Sequence, residues 1–168
     1  AGSGLHVHLS PVKDGLHLGG RTASGELPRP ALWLIGGLVR HGGALMGFGN
    51  RTEGSFVRLT QGKEAPNMVF WGEYDRKALV RLPIVATNSE GEWVTPPTIE
   101  FRLPDGSAHP HLLLAGVAQA VAEASELPEL DEIIAASGSG SSTAGDGAAS
   151  PVPKSFPQVA AALTPSRT

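Results

Sequence analysis

His6 and His8 stand on either side of one valine in SGLHVHLS. Alternation puts Leu5, Val7 and Leu9 on one face of an extended strand and His6, His8 and Ser10 on the other. Two imidazoles on one strand face can ligate a metal, contact a ligand or simply pack. The same alternation in TIEFRL separates Ile99, Phe101 and Leu103 from Glu100 and Arg102. VRLT and LVRLP add Arg58 and Arg81, each among apolar neighbours. Any one of these strands reads as an ordinary solvated sheet face. On one shared sheet they would make a surface of imidazole, carboxylate and guanidinium. Histidine nitrogen with glutamate oxygen suits Mn²⁺ or Mg²⁺. Arginine forks suit carboxylates and phosphates. Metal, acid and phosphate on one surface imply phosphoryl transfer.

Two simpler site types are excluded. A cupin-type HxH site needs a glutamate four or five positions on, where Val12 and Lys13 stand. A phosphate loop of the form GxxxxGK[ST] is absent.

Strands are expected at 5–10, in SFVRLT, MVFWGEY, ALVRLPIVAT and TIEFRLP, from β-branched content and alternation. KDG, at Lys13–Gly15, is a turn. NSEGEWVTPP reads as a polar insertion between the last two strands. From Ala31 to about Gly47, Leu34, Ile35, Leu38, Val39, Leu45 and Met46 recur at helical spacing after Pro30. The glycine pairs at 36–37 and 42–43 weaken this helix by about 1 kcal/mol per residue relative to alanine, and permit a close neighbour. HPHLLLAGVAQAVAEA is a second helix, with Pro110 in its first turn. PKSFPQVAAAL opens a third.

The chain has 168 residues, which suggests one domain, with a net charge of −3 that gives no reason to expect a polyanionic partner or nucleic acid. It has no cysteine, so disulfides, thiolate-ligated zinc and thiol catalysis are excluded. No uninterrupted apolar run matches a bilayer, and the N-terminus lacks a basic-then-apolar leader, so a cytoplasmic location without membrane contact is expected.

Four segments, in order and at similar spacing, resemble the glutamine synthetases. GSGLHVHLS resembles their GSGMHxHxS, RLTQGKEAP their RLVPGxEAP, DRKALVRLP their NRSASxRIP, and IEFRLPDGSAHPHL their IExRxPDxxANPYL. The resemblance runs from Gly2 to about Ala124. It implies an α+β fold in which an antiparallel sheet is flanked by helices. It implies that His6 and Glu100 are metal ligands and that His8 and Ser10 contact the nucleotide. Arg58 would hold the substrate carboxylate. Glu64, on a flap, would help deprotonate ammonium. Arg76 and Arg81 would contact phosphate, and Arg102 both the amino-acid substrate and the phosphoryl group. The cofactors implied are ATP with Mg²⁺ or Mn²⁺, the substrates glutamate and ammonia, and the assembly a homo-oligomeric ring.

This chain departs from the pattern in places. NRTEGSFVR, Asn50–Arg58, replaces NPTTNSYKR beside the substrate, which opens amines or polyamines as acceptors. Pro97 and Thr98 stand where basic residues usually precede IExR. A structural relative without catalysis is a further alternative, opposed by the retention of so many site residues. The β-grasp domain and upstream metal-binding glutamates of the resembled family are not in the sequence. The expected organisation is therefore a partial catalytic domain over 1–136, a flexible Gly/Ser/Ala-rich segment over 137–150, and the start of a further helical segment over 151–168, the whole being an interior piece that is inactive alone.

Overall fold

The computed structural model describes residues 3–60, 65–139 and 150–164. A four-stranded sheet is ordered β1 (Val7–Leu9), β6 (Ile99–Phe101), β5 (Val80–Leu82), β4 (Trp71–Glu73). A separate hairpin, β2 (Val12–Lys13) and β3 (Leu16–His17), turns through Asp14 and Gly15, both at positive φ (52° and 78°). That is the turn KDG announces, since Asp-Gly supplies the left-handed pair a two-residue hairpin loop needs.

The helices are α1 (Arg29–Gly49), α2 (Glu53–Thr60), α3 (Pro110–Glu126), α4 (Leu130–Ser137) and α5 (Phe156–Leu163). Helix α1 is central and packs against α3, α4, α5 and the sheet. Its residues Ala31, Leu34, Ile35, Leu38, Leu45 and Met46 are almost wholly buried. By length and composition α1 could cross a bilayer, yet half of its most apolar stretch is buried in the protein. Gly37 explains the close crossing with α3: a Cβ there would lie 2.6 Å from the Ala120 carbonyl oxygen. Gly37, which weakens α1 as an isolated helix, lets the backbone of α3 sit directly on it, while Gly36, Gly42 and Gly43 make room for the side chains of Leu130, Leu79 and Pro153.

The α+β class is as expected, with three differences. SFVRLT is not a strand; it lies in helix α2. Alternation would group Val57 with Leu59, whereas helical spacing buries Phe56 with Leu59 and leaves Val57 exposed. Ser55 Oγ accepts from the Thr52 backbone N–H at 3.3 Å, tying down the first turn. The sheet is mixed, not wholly antiparallel. β1–β6 and β6–β5 are antiparallel, while β5–β4 is parallel. The short link Tyr74–Leu79 makes this parallel pairing, turned by Tyr74 in the left-handed region (φ 61°). Helix α4, which no sequence pattern marks, lies beside β4: its Ile134 carbonyl accepts from Trp71 Nε1 at 2.9 Å, and Gly138 just past its end bridges to Trp71. The polar insertion forms a small hairpin closed by a Thr87–Trp93 bridge. Most of the segment read as flexible, 140–149, lies outside the described residues.

Candidate functional site

The register decides which side chains meet. His8 lies directly opposite Glu100 in β1–β6, and Arg81 directly opposite Glu100 in β5–β6. Directly paired residues share a sheet face, so the polar face expected from alternation exists, with Glu100 at its centre. The Glu100 side chain is 1% exposed. Its Oε2 accepts from Arg81 Nε at 2.5 Å. Its Oε1 meets Arg102 Nη1 at 3.1 Å and His6 Nδ1 at 2.8 Å. His8 Nε2 stands further off, at 3.8 Å. Burial pushes the Glu100 carboxyl up, but Arg102, Arg81 and His6 outweigh it and hold the carboxyl below its usual range. Burial, and then the Arg102 charge, push the His6 imidazole down against the pull of Glu100. His6 is therefore neutral at pH 7, the form that ligates metals.

His6 and Glu100 suit a hard divalent cation in donor type and spacing. Two donors about 2.1 Å from an octahedral ion lie roughly 3 Å apart across a right angle. The 2.8 Å His6–Glu100 separation is close to that. Among the described residues no group of at least three His, Cys, Asp or Glu completes the shell.

Arg58 projects from α2, and its Nη2 donates to the carbonyls of Leu103 and Pro104. A Cβ on Gly4 would lie 3.0 Å from Arg58 Nη1 and 3.6 Å from His6 Nε2, so Gly4 leaves the gap in which these groups approach. Arg58 Nε is buried with no hydrogen-bond partner among the described residues. A buried donor in that condition fits an anionic ligand.

The nucleotide candidates are held differently. His8 Nδ1 bonds Thr98 Oγ1 at 2.9 Å, and Ser10 Oγ bonds His17 Nδ1 at 3.2 Å. Beside Thr98 a small cleft is lined by Gly19, Gly20, Arg21, Glu73, Trp93 and Thr98. Arg76 reaches the Glu100 group through its backbone: its carbonyl accepts from Arg102 Nη2 at 2.9 Å. Glu64 lies outside the described residues.

Sequence reasoning missed Asp105, which sits in IEFRLPDGS but offers no alternation signal. It is 5% exposed. Its Oδ1 accepts from Ser107 Oγ at 2.6 Å and from the Ser107 backbone N–H at 2.8 Å. Burial raises its carboxyl, but the hydroxyls of Ser107 and Ser55, the Ser107 amide and the Arg58 charge together hold it below its ordinary value. A carboxyl depressed in the folded state stabilises above its unfolded pKa, and that stability is lost as pH falls through the folded value. Asp105→Asn is expected to cost about 1–2 kcal/mol at neutral pH. Its urea midpoint should converge on that of the unaltered protein as pH drops below about 4. Parallel loss at all pH values would disprove the assignment.

The family description glutamine synthetase, catalytic domain, matches residues 1–126. Glutamine synthetase of Azotobacter vinelandii is 40% identical over 119 residues, 71% of this chain and 24% of that protein. That of Aquifex aeolicus is 34% identical over 125 residues, 74% of this chain and 26% of the other. The chain thus spans about a quarter of the length of these curated relatives. The cryo-EM structure of Plasmodium falciparum glutamine synthetase aligns with TM-score 0.61 and 30% identity, over 73% of this chain and 23% of that one. A crystal structure described as a novel glutamine synthase homolog shares the fold at TM-score 0.72 and 22% identity, over 95% of this chain and 35% of its own.

Proposed function

Because the chain belongs to the glutamine synthetase catalytic-domain family, we propose that it forms one wall of the active site of an ATP-dependent ligase joining ammonia to the side-chain carboxylate of glutamate. The observation that carries the reading is the buried Glu100 carboxylate, shared by His6, Arg81 and Arg102 on one sheet face. In this reading the glutamate side-chain carboxylate attacks the γ-phosphorus of ATP and ADP leaves. Ammonia then attacks the acyl carbon and phosphate leaves. Arg58 holds the substrate carboxylate, its unpartnered Nε supplying a donor. Arg81 and Arg76 bear on the transferred phosphoryl group, whose spreading negative charge fixed guanidinium groups stabilise. His8, held by Thr98, and Ser10, held by His17, line the nucleotide side. Glu64 takes the proton from ammonium. His6 and Glu100 would hold the divalent ion, which when bound neutralises phosphate charge. The remaining ligands come from outside the described residues.

The partial domain over 1–136, the segment over 137–150 and the further helical segment over 151–168 belong to the same proposal, as do a homo-oligomeric ring and a cytoplasmic location. A second reading, with an amine or polyamine as acceptor, is favoured by the altered segment Asn50–Arg58, which runs into α2 and where Val57 is exposed at 51% beside Arg58.

Mn²⁺ titration of the protein, followed by electron paramagnetic resonance, tests the metal centre. His6→Ala is expected to weaken binding by more than about tenfold, since even outer-shell changes cost that much. Equal affinity in the unaltered protein and His6→Ala would sink the assignment. Phosphate release by the full-length protein, with ATP, glutamate and either ammonia or a panel of amines, decides the acceptor.

A further inference from the structure

The insertion Asn88–Pro96 takes no part in the proposed chemistry, yet it is firmly folded. Its tip is held by Asn88, whose Oδ1 accepts from the Glu90 and Glu92 backbone N–H groups at 3.0 and 2.9 Å. Gly91 turns the chain in the left-handed region (φ 81°). Nearer the sheet, the Val94 N–H donates to the Ala86 carbonyl at 2.9 Å. A hairpin held in this way aims the one aromatic side chain it carries, Trp93, which is 44% exposed.

Trp93 lines the cleft beside Thr98, with Gly20, Arg21, Glu73 and the exposed Tyr74. It also lines a second cleft with His17 and Thr22. The two clefts therefore reach the side chains that hold both nucleotide candidates, since Thr98 bonds His8 and His17 bonds Ser10. Gly19 and Gly20 permit the approach. A Cβ on Gly19 would lie 2.5 Å from the Pro97 carbonyl oxygen, and one on Gly20 would lie 2.6 Å from Pro97 Cβ and 3.5 Å from Trp93 Cζ2. Close packing of Gly-Gly on Pro97 brings the next residue, Arg21, to the cleft, where its Nε donates to Glu73 Oε1 at 2.8 Å. That ion pair cancels its own charge. The cleft thus offers an aromatic face and polar edges without net charge, which suits a planar neutral heterocycle better than a phosphate or an ammonium group.

We propose that Trp93 is a stacking platform for the base of the nucleotide, supplied by the insertion in the chain that has Pro97 and Thr98 in place of basic residues. The proposal rests on the reading that the Thr98 end of the sheet takes ATP. Every base has a π face, so an indole holds it without needing a charge.

The test measures the affinity of the full-length protein for Mg²⁺–ATP, adenosine and inorganic tripolyphosphate, unaltered and as Trp93→Ala, Trp93→Phe and Val94→Ala. Trp93→Ala is expected to weaken ATP and adenosine about tenfold and to leave tripolyphosphate unchanged. Trp93→Phe keeps a ring face and should recover most of that loss. Val94→Ala, also exposed on the hairpin, should bind like the unaltered protein. Adenosine should quench the fluorescence that Trp93→Phe removes, since Trp33 and Trp71 remain in both proteins. Unchanged ATP affinity in Trp93→Ala overturns the proposal. So does an equal loss for ATP and tripolyphosphate, which would mean that the hairpin only shapes the phosphate site. If adenosine binds through Trp93 while tripolyphosphate does not bind and ATP binds no tighter than adenosine, the phosphate reading fails and the platform survives. If Trp93→Ala does not fold, Trp93→Leu, which fills the place without a π face, decides by the same affinities.

Discussion

Glu100→Gln is expected to lower the unfolding free energy by about 3–5 kcal/mol, because removing one member of a buried charge group leaves the others uncompensated. Arg102 is 2% exposed and Arg81 20%. Glutamine fills the same space and keeps one carbonyl oxygen, so packing is held nearly constant. What changes is charge: two guanidinium groups lose the carboxylate between them. Equilibrium urea unfolding at pH 7 gives the number. A loss under about 1 kcal/mol would mean that the arginines are neutralised elsewhere. The same substitution removes the carboxylate donor from the His6–Glu100 pair, so stability and Mn²⁺ affinity should fall together.

Gly37→Val is the second large effect. A Cβ at 37 would sit 2.6 Å from the Ala120 carbonyl oxygen and 2.8 Å from its carbon. Both atoms are backbone, so no side-chain rotation relieves the clash. Valine is a better helix former than glycine by a few tenths of a kcal/mol. Overpacking against rigid backbone costs about 1–3 kcal/mol and wins. For a chain of this length the thermal midpoint should drop by roughly 5 °C. Gly25→Val, in an exposed turn with open space around it, controls for handling but carries its own strain at φ 84°. A stabilised Gly37→Val protein would show that α1 and α3 can separate without penalty.

The sequence makes the polar face legible because strand alternation is a local property. His6, His8, Glu100, Arg81 and Arg102 could be assigned to faces without knowing which strands pair. The long helices α1 and α3 were legible for a similar reason, since their periodicity runs over many residues. SFVRLT was not, because six residues allow either period, and the choice was made by Phe56 and Leu59 finding the core. The parallel β4–β5 pair was not, because it depends on the left-handed turn at Tyr74, a residue with no special preference for that conformation. Asp105 was hidden for another reason: besides the neighbouring Ser107, its partners Ser55 and Arg58 come from helix α2, about fifty residues away in the chain. The proposed roles of His8, Ser10, Arg58, Arg76 and Arg81 rest on resemblance together with placement. Contacts such as His8–Thr98 and Ser10–His17 follow only from three-dimensional packing.

The pairing of β1 with β6 also sets an order of events. His8 and Thr98, which bond across that edge, are 90 residues apart in the chain. Closing a loop of that length is entropically costly and brings no reward until β6 is present. During synthesis His6 and His8 emerge before the segment that ends at Arg102 and must wait for it before they can pair across β1–β6. The hairpin β2–β3 and helix α1 can form meanwhile from local contacts. The wall proposed to hold metal and phosphate therefore assembles only once β6 is made, and a chain stopped before Ile99 would carry the hairpin and the α1 segment but no site.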